Sequence, residues 1–402
     1  MIKCSVLLPT RNRLDLLKYA VDTVRRQDYE NWEIIISDNV SEVDIGGYVK
    51  SLNDPRLKYY RTDRFIPVTD NWNLALEKSN GDYVIMLGDD DCLMKGYFST
   101  MNQLVETYNA PDFIYTSALL FTYPGVITSH PAGLLQHYGY ADFLRSAKSP
   151  FWLDKQRALA MFNRSLDFKV RFGYNMQFSF VSRRLIDALR GYGRFYQSPY
   201  PDYYASNVLM LKAERILVTP QPLVTIGISP KSFGCFYFND LEGKGNEFLK
   251  NLAETNMAQR LEKVILPGTN MNNSWLLAME TILHNFGKVA DVKIRYQRYR
   301  LLQIVSVYKK CLLKTAGAEA EKHELWQKMN TREKFLYGYG LSLVSGLAVW
   351  FPGPFRALLA KCMMAALRTY PLSPLRKIEG NYKTILDVFE RANPLLTNGG
   401  GN

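Results

Sequence analysis

The chain has 402 residues, which exceeds one ordinary compact domain and allows two or three. Hydrophobic residues make up 47% and charged residues 22%, a balance that excludes an intrinsically disordered chain. The net charge of +12 lies almost wholly at the C-terminal end, because residues 288–402 carry 19 Lys and Arg against 8 Asp and Glu.

The first 116 residues alternate predicted strands with predicted helices. Apolar runs predict strands at 2–8, 33–37, 57–60, 82–87 and 112–116. Apolar spacing and capping residues predict helices between them, at 14–27, 41–52, 69–79 and 101–108. Strands joined by helical crossovers indicate an α/β fold with a mostly parallel sheet sandwiched by helices. In such a sheet, ligands bind at the carboxyl ends of the strands.

Beyond residue 120 the pattern changes twice. Residues 120–235 are less regular and rich in Tyr, Phe and Gly, with strands predicted at 216–219 and 223–226. Residues 242–330 are predicted to be mainly helical. We therefore predict three segments: residues 1–235, a helical extension at 236–330, and a basic, apolar segment at 331–402.

Three consecutive carboxylates follow the strand predicted at 82–87. Asp89, Asp90 and Asp91 come directly after it, so they are placed at the carboxyl edge of the sheet. Adjacent carboxylates repel each other, and a divalent cation such as Mg²⁺ or Mn²⁺ would relieve that repulsion and bind a diphosphate. The alternative is a solvated acidic loop that caps the next helix. The position at the sheet edge favours the metal site.

Two further loops are predicted to converge on the same edge. Pro9 to Arg13 follow the first strand, and Asp38 ends the second. Asp38 can accept hydrogen bonds from a base imide or a ribose hydroxyl, and Arg11 or Arg13 can face phosphate. With the acidic triplet, these loops predict a nucleotide-diphosphate pocket.

The order and spacing of four motifs resemble the family 2 glycosyltransferases of GT-A fold. The motifs are Ser5-Val6-Leu7-Leu8-Pro9-Thr10-Arg11-Asn12-Arg13, Trp32-Glu33-Ile34-Ile35-Ile36-Ser37-Asp38-Asn39-Val40-Ser41, Asn73-Leu74-Ala75-Leu76, and Gly81-Asp82-Tyr83-Val84-Ile85-Met86-Leu87-Gly88-Asp89-Asp90-Asp91.

This resemblance implies roles for individual residues. Pro9, Thr10, Arg11 and Asp38 would lie against the nucleotide. Asn73 and the three aspartates at 89–91 would hold the diphosphate and the metal. The sequence departs from many relatives at one position, where Gly88 stands in place of an aspartate. Which two of Asp89, Asp90 and Asp91 bind the metal therefore stays open.

Inverting transfer requires a general base for the acceptor hydroxyl. The family places an acidic residue at the start of a later helix, and Asp202 fits that description. The alternative is that Asp202 only caps the helix; Asp167 and Asp240 are weaker candidates for the base. Relatives also place a residue that closes over the diphosphate near Lys231, although a solvated lysine is the competing interpretation.

The C-terminal segment contains 21 residues, 335–355, without a formal charge. A buried helical hairpin, a single membrane span and a segment lying in the membrane interface are the alternatives. Flanking Trp, Tyr, Lys and Arg favour the interfacial form. The five cysteines show no C-x-x-C spacing, and the apolar run at 2–8 is too short for a signal peptide. We therefore expect a cytoplasmic protein, peripheral on the cytoplasmic face of the membrane.

The sequence thus predicts a metal-dependent, hexosyltransferase-type inverting glycosyltransferase, with residues 1–235 as the catalytic domain. The donor would be a nucleotide sugar, first of all a UDP-sugar. The acceptor would be a hydroxyl of a saccharide or of a lipid-linked glycan, in cell-surface polysaccharide synthesis. The alternatives are a non-catalytic nucleotide-sugar-binding module and a nucleotidyltransferase, which would carry a glycine-rich loop after the first strand. No nucleic-acid recognition motif is present in the sequence, so nucleic acid is not an expected partner.

Overall fold

The computed structural model describes residues 1–128, 130–138, 141–232, 235, 261, 264–367 and 376–392. The strands β1 to β11 are Cys4–Thr10, Trp32–Asp38, Leu57–Arg61, Tyr83–Met86, Cys92–Leu93, Phe113–Thr122, Leu134–Tyr138, Phe151–Leu153, Ser179–Ser182, Ile216–Ile228 and Lys377–Ile378. The α-helices α1 to α14 are Leu14–Arg25, Ile45–Ser51, Val68–Lys78, Tyr97–Thr107, Lys155–Leu166, Arg183–Ala188, Pro201–Lys212, Asn270–Phe286, Tyr296–Leu313, Ala318–Lys328, Thr331–Glu333, Tyr339–Leu347, Gly353–Leu367 and Ile385–Arg391. Short 3₁₀ turns lie at Met176–Phe178, Arg190–Tyr192 and Ala348–Trp350, and one π-helical turn lies at Lys334–Gly338.

The strands of the described residues form one eleven-stranded sheet with the central order β11-β7-β6-β9-β4-β1-β2-β3. β1 pairs in parallel with β2 and β4, and β2 pairs in parallel with β3. β9 lies antiparallel between β4 and β6, whereas β10 runs parallel to β6. The α/β fold and the helical region after it are confirmed. The sheet is mixed rather than mostly parallel, because the less regular stretch at 120–235 supplies the antiparallel strands.

Hydrophobic patterning explains why the first strands lie at the centre of the sheet. β2 is buried along its whole length, and α1 contributes Leu17, Ala20, Val21 and Val24 to the same core cluster. The two strands predicted at 216–219 and 223–226 are one long strand, β10, with irregularities around Pro222. A proline has no backbone N–H for the ladder, so the pairing is interrupted there while the strand continues.

The end of the described chain returns to the N-terminal core. β11 pairs with β7, and α14 packs against α1 and β5. Ile385, Val388 and Phe389 are buried in one cluster with Leu16 and Met94. The segment 331–402 therefore contains a part that is built into the α/β core, and the boundaries at 235 and 330 stay predictions.

The uncharged stretch at 335–355 does not form a continuous apolar helix. A π-helical turn, α12 and a 3₁₀ turn follow each other before Pro352 separates them from α13. Among the described residues, no helix combines the length and the apolar character needed to cross a membrane. α12 has no buried residue, although Leu341 packs against the cluster that contains Ile304 and Leu325, so the three interpretations of this stretch differ in how far it is covered and the interfacial one stays a prediction.

Candidate active site

The carboxyl ends of β1, β2 and β4 bring the predicted loops together. Thr10, the last residue of β1, is paired with Asp38, the last residue of β2. The chain leaves β4 at Met86 and turns through Asp89–Asp91 into β5. The three aspartates of this turn, which we call the acidic loop, are only 3%, 6% and 2% exposed, so they are not a solvated acidic loop.

Asp89 is held from the first loop. Thr10 Oγ1 donates to Asp89 Oδ2 at 2.7 Å, and Arg13 Nη1 donates to Asp89 Oδ1 at 2.8 Å. Arg13 Nη1 also lies 3.8 Å from Asp90 Oδ2. Burial lowers the pKa of Arg13, but the negative charges of Asp89 and Asp90 outweigh it and raise that pKa. Arg13 is therefore a permanent cation inside the site.

Asp91 is held by three donors from three parts of the chain. Gly88 N and Gln177 Nε2 donate to its Oδ2 at 2.8 and 2.6 Å, and Gly227 N donates to Oδ1 at 2.8 Å. A Cβ at residue 88 would lie 2.6 Å from Asp91 Oδ2, and one at residue 227 would lie 1.8 Å from the carbonyl oxygen of Asp90. Glycine at 88 thus allows the turn to fold back on Asp91.

Asp90 has the fewest partners of the three. Ser229 Oγ donates to its Oδ2 at 2.9 Å, and Ser229 is itself held by Ser232, whose Oγ accepts from Ser229 N at 2.5 Å. Among the described residues, Asp90 Oδ1 has no hydrogen-bond donor in the structure. Asp90 is therefore the member of the acidic loop with room for a further ligand.

The acidic loop is short of positive charge despite Arg13. Burial, the largest cause, raises the pKa of both Asp89 and Asp91, and repulsion from Asp90 adds to it. The hydrogen bonds from Arg13 and from Gln177 act in the opposite direction but do not compensate. Such buried carboxylates are stabilised by an added cation.

The residues fit a metal held partly by substrate rather than a complete protein cage. Within the described ranges, no group of three or more His, Cys, Asp or Glu side chains has the arrangement of a metal site. The three carboxylates point to different partners, so a site built from all three is not formed. Mg²⁺, however, is commonly bound by one or two carboxylates together with substrate phosphates. Metal dependence stays a prediction, with Asp90 as the best-placed ligand.

Asp38 is fully buried and already paired within the chain. Its carboxylate accepts from Ser41 N at 2.9 Å, Tyr59 Oη at 2.7 Å and Arg61 Nη1 at 3.3 Å. Val40 adopts a left-handed conformation with φ 55°, which closes the turn after β2. Asp38 therefore fixes the wall on which a base would rest, and its direct contact with the nucleoside stays a prediction.

Arg11 is the basic residue of the first loop that is not paired with an acid in the described chain. Its guanidinium carbon lies 4.4 Å from the centre of the Phe65 ring, and its Nε is buried without a hydrogen-bond partner there. Pro9, which precedes it by two residues, lies in β1 opposite Ser37. An unpaired guanidinium at the carboxyl edge suits a phosphate oxygen.

Asn73 has partners that differ from the predicted ones. Its amide nitrogen donates to the carbonyls of Thr69 and Tyr196 at 2.9 and 2.8 Å, and its oxygen accepts from Tyr196 N at 3.2 Å. Both amide hydrogens are thus used. In this structure Asn73 ties α3 to the segment that leads to α7, and its predicted contact with the diphosphate has no free donor.

Asp202 lies in the first turn of α7, where it was predicted. Burial raises the pKa of its half-buried carboxyl group to about 7, although the backbone N–H groups of Asp202 and Tyr203 act in the opposite direction. Thr69 Oγ1 donates to the carbonyl of Ser198 at 2.6 Å, which joins the loop before α7 to the start of α3. These contacts place Asp202 on the carboxyl side of the sheet.

The other predicted residues have structural partners. Lys231 is half exposed, and its Nζ lies 3.3 Å from Asp15 Oδ1, while its carbonyl accepts from Arg13 Nη2. Asp167 caps the end of α5 and lies 3.5 Å from Arg295 Nη1. Asp240 lies outside the described residues. The closing role of Lys231 stays a prediction.

Four residues of the site were not identified from the sequence. Ser229 and Tyr59 had a usable signal, since each is a polar residue near the carboxyl end of a predicted strand. Gln177 and Gly227 had none, because their roles depend on a 3₁₀ turn and on the close approach of β10 to the acidic loop.

Comparisons with known proteins identify a family for part of the chain. Residues 5–170 match the model of the family described as Glycosyl transferase family 2. A GalNAc(5)-diNAcBac-PP-undecaprenol beta-1,3-glucosyltransferase of Campylobacter jejuni is 38% identical over 106 residues, which cover 26% of this chain and 34% of that protein. The colanic acid biosynthesis glycosyl transferase WcaA of Escherichia coli K12, an assignment that is itself provisional, is 33% identical over 132 residues, 32% of this chain and 47% of that protein. The chain thus spans less than half the length of either relative.

Among solved structures, S. aureus TarS 1-349 in complex with UDP-GlcNAc aligns with 84% of this chain and 92% of that chain. The sequence identity is 13% and the TM-score is 0.48.

Proposed function

This chain belongs to glycosyltransferase family 2 through its residues 5–170, and we propose that it transfers a sugar, with inversion, from a nucleotide diphosphate donor to an acceptor hydroxyl. The observation that carries the proposal is the acidic loop, which is buried at the carboxyl edge of the sheet and oriented by Thr10, Arg13, Ser229 and Gln177. A non-catalytic module would not require this buried excess of negative charge, which costs folding free energy.

We propose that the donor diphosphate lies between the acidic loop and the first loop. Asp90, with Asp89 or Asp91, would hold Mg²⁺ or Mn²⁺, which neutralises the charge of the departing diphosphate. Arg11 would donate to a phosphate oxygen, since its Nε has no partner within the described chain. Thr10 and Arg13 position Asp89.

We propose that the nucleoside rests on the wall formed by Pro9 and Asp38. Asp38 holds Tyr59 and Arg61 in place through its Oδ2, and within the described chain its Oδ1 accepts one hydrogen bond, from Ser41 N. A carboxylate oxygen offers a second lone pair, to which the imide N–H of uracil can donate. UDP is therefore the first nucleotide to be tested.

We propose Asp202 as the general base. A carboxylate with a pKa of about 7 matches the pH at which a base must both be ionised and accept a proton. The proton moves from the attacking hydroxyl of the acceptor to the carboxylate as the new glycosidic bond forms, and the bond from the sugar to the diphosphate breaks on the opposite face.

We propose an acceptor from cell-surface glycan synthesis, either a saccharide or a lipid-linked glycan. The relative from Campylobacter jejuni acts on a glycan linked to undecaprenol diphosphate, as its name states. A lipid-linked acceptor would bring this protein to the cytoplasmic face of the membrane, and the segment 331–402 is proposed as the region that contacts it.

The test is a panel of nucleotide sugars with Mn²⁺ or Mg²⁺, scored by release of the free nucleotide diphosphate. Saturable release that depends on the donor nucleotide and is lost in Asp90→Asn supports the proposal. Binding of a nucleotide sugar without release, with every acceptor class tried, would instead favour the non-catalytic module.

A further inference from the structure

Large apolar side chains are exposed together on one C-terminal surface. Between residues 335 and 358, ten of them are exposed, against five in the rest of the described chain. Trp350 is 87% exposed, Phe335 78% and Leu343 65%. We call this set the apolar ridge; its members are Phe335, Leu336, Tyr339, Leu343, Val344, Leu347, Trp350, Phe351, Phe355 and Leu358. Large apolar side chains exposed in this number mark a surface that contacts a protein or a membrane.

The charges within the segment that carries the apolar ridge are almost all positive. Residues 331–367 contain Arg332, Lys334, Arg356 and Lys361 and a single acid, Glu333. Both oxygens of Glu333 accept from Arg300, at 2.5 and 2.8 Å. The acid is therefore neutralised from outside the segment, and the ridge is bordered by uncompensated cations.

The environment of Arg356 indicates the charge of the surface that the ridge contacts. Its Nε and Nη1 are buried, and neither has a hydrogen-bond acceptor among the described residues. A guanidinium shielded from water in this way costs free energy unless an acceptor approaches it. Arg356 lies at the start of α13, between the exposed Phe355 and Leu358 of the ridge. An anionic group is expected at this position.

A groove beside the apolar ridge offers a second basic position. It has a volume of about 340 Å³ and lies where the end of α9 and the start of α10 meet α12. Its lining includes Lys314, Lys322, Ser342 and Ser345. Lys322 is paired with Glu319, whereas Lys314 is exposed and has no ion-pair partner in the described part of the chain. A phosphate at the edge of the ridge would find the ammonium group of Lys314 there, whereas the hydroxyls of Ser342 and Ser345 already have partners in Tyr308 and in the Ser342 carbonyl.

We propose that the apolar ridge and its basic border dock onto the surface of a bilayer that contains anionic phospholipids. The ridge side chains would enter the headgroup and upper acyl region, while Arg356 and Lys314 would contact lipid phosphates. This inference rests on the proposed peripheral location and names the residues, the orientation and the lipid class.

The form of the segment agrees with a bilayer surface. α12 and α13 have 9 and 15 residues and are separated by Pro352, so they lie as two short helices rather than one span. Segments that expose aromatic and apolar side chains beside basic ones bind in the plane of the interface. Cations beside the headgroups contribute roughly 1 kcal/mol each, or about five-fold in affinity.

The same charges argue against a second copy of this chain as the partner. A two-fold symmetric interface places each surface patch against itself. The basic border would then face another basic border, and the single acid within residues 331–367, Glu333, is already paired with Arg300. An anionic lipid surface has the complementary sign.

Docking through the apolar ridge would also fix the position of the proposed active site relative to the membrane. α13 packs on α9, α9 packs on α8, and α8 packs on α7, which carries Asp202. The ridge is therefore connected to the proposed base through consecutive packed helices. A lipid-linked acceptor would be held in the same membrane against which the chain is docked.

Vesicle co-sedimentation of the full chain tests the proposal. The vesicles contain either phosphatidylcholine alone or phosphatidylcholine with an equal amount of phosphatidylglycerol. Point substitutions replace truncation, because residues 376–392 are part of the N-terminal core. We expect binding to the anionic vesicles and much weaker binding to phosphatidylcholine alone.

Two sets of variants separate the apolar and the charged contributions. The ridge triple variant combines Leu343→Ser, Leu347→Ser and Trp350→Ser. It should weaken vesicle binding about 100-fold. Arg356→Gln and Lys314→Gln should each weaken binding to anionic vesicles about five-fold and leave binding to phosphatidylcholine unchanged. Val289→Ser and Lys288→Gln are the matched controls, since both residues are exposed away from the ridge; they should bind as wild type.

Three outcomes would overturn the proposal. They are equal vesicle binding by the ridge triple variant and wild type, loss of vesicle binding on addition of inorganic phosphate at physiological concentration, and concentration-dependent self-association that the ridge triple variant abolishes. Release of nucleotide diphosphate with a soluble acceptor is measured on the same variants. A ridge variant that releases nucleotide normally but no longer binds vesicles leaves the transferase proposal intact, so the two proposals fail separately.

Discussion

Carboxylates are buried at both ends of the central strands, but the number of hydrogen-bond donors and cations around them differs between the two ends. At the amino end, Glu33 of β2 is 1% exposed and accepts from Ser5 Oγ at 2.7 Å, from Asn80 N at 2.7 Å and from Lys58 Nζ at 2.5 Å. Lys3 Nζ lies 3.2 Å away. Burial alone would raise the pKa of Glu33, but these donors outweigh it and lower that pKa to about 2.

At the carboxyl end the balance is reversed. Asp89 and Asp91 share one nearby cation, Arg13, and burial raises the pKa of both. Among the described residues, Asp202 has backbone N–H donors and no side-chain donor, and burial raises its pKa to about 7. A buried acid whose donors outweigh the effect of burial stabilises the fold. A buried acid with too few donors can instead bind a ligand or an ion, or accept a proton.

The largest effect is expected at Asp202. Asp202→Asn should lower kcat by about 10²–10⁴-fold, because general-base catalysis contributes that much, while the donor Kd stays the same. In the wild type, kcat should rise with pH through about 7 as the carboxylate ionises. The measurement is the pH profile of kcat together with donor binding by calorimetry.

Asp167→Asn is the matched comparison for this substitution. Asp167 is a rival candidate, but it caps α5 and lies beside Arg295, so its variant should keep the wild-type rate and pH profile. If Asp202→Asn turned over normally, or if Asp167→Asn lost the rise near pH 7, the assignment of the base would be wrong.

The next effect is expected at Asp90, the acid with an unpaired oxygen. Asp90→Asn should reduce transfer by about 10²–10³-fold, since one group that stabilises developing charge is lost. Thermal stability should stay equal or rise, because repulsion within the acidic loop is relieved. Asp63→Asn changes an exposed aspartate of the neighbouring β3–α3 loop and should alter neither property. A marked loss of stability in Asp90→Asn would mean that this acid is structural, as Glu33 is.

Glu33→Gln examines the amino end and should show the reverse pattern. Losing the charge that Lys3, Lys58 and Asn80 stabilise should cost about 2–3 kcal/mol of unfolding free energy, with unchanged activity per folded molecule. Denaturant unfolding measures this loss. Glu30→Gln, at an exposed pair with Arg56, should cost less than about 1 kcal/mol.

The pH dependence of stability should differ in sign between the two ends. The folded pKa of Glu33 is lowered, so its contribution is present above about 4.5 and is lost as the pH falls toward 2. The folded pKa of Asp202 is raised, so its contribution is present below about 4 and is lost as the pH rises toward 7. In a plot of unfolding free energy against pH, Glu33→Gln should therefore flatten the acid limb, and Asp202→Asn should flatten the limb near neutral pH. The difference between the two ends would be refuted if each substitution flattened the other limb.

The sequence allowed much of this comparison to be anticipated, for local reasons. β1, β2 and β4 are continuous apolar runs, and polar residues at their ends must meet at one edge, so Thr10, Asp38 and the acidic loop could be placed. The partners of these residues could not be placed. Gln177 lies 86 residues from Asp91, and Ser229 lies 139 residues from Asp90.

The packing of residues 376–392 against the N-terminal core was not predicted from the sequence either, for a related reason. Val388 and Phe389 belong to a short helix whose apolar face has no partner nearby in sequence. They pack in the same cluster as Cys92 and Met94, directly behind the acidic loop. Periodicity shows that such a helix has a face to bury, but not which distant surface covers it.

The smallest effect is expected at Gln177, which orients an acid without contacting substrate. Its Nε2 donates to Asp91 Oδ2 at 2.6 Å from a buried 3₁₀ turn. Gln177→Ala should weaken the apparent metal affinity and lower kcat about ten-fold, the lower end for a residue that supports a metal ligand. Gln177→Glu should lower kcat and metal affinity further, since a second carboxylate would then lie against Asp91, where donors are already scarce.

Asn175→Ala is the control from the same turn, because the side-chain oxygen of Asn175 is buried without a partner among the described residues. This variant should keep the wild-type metal dependence. If Gln177→Ala kept wild-type metal affinity and rate, Gly88 and Gly227 alone would hold Asp91, and the deficit of donors at this end would be smaller than the comparison requires.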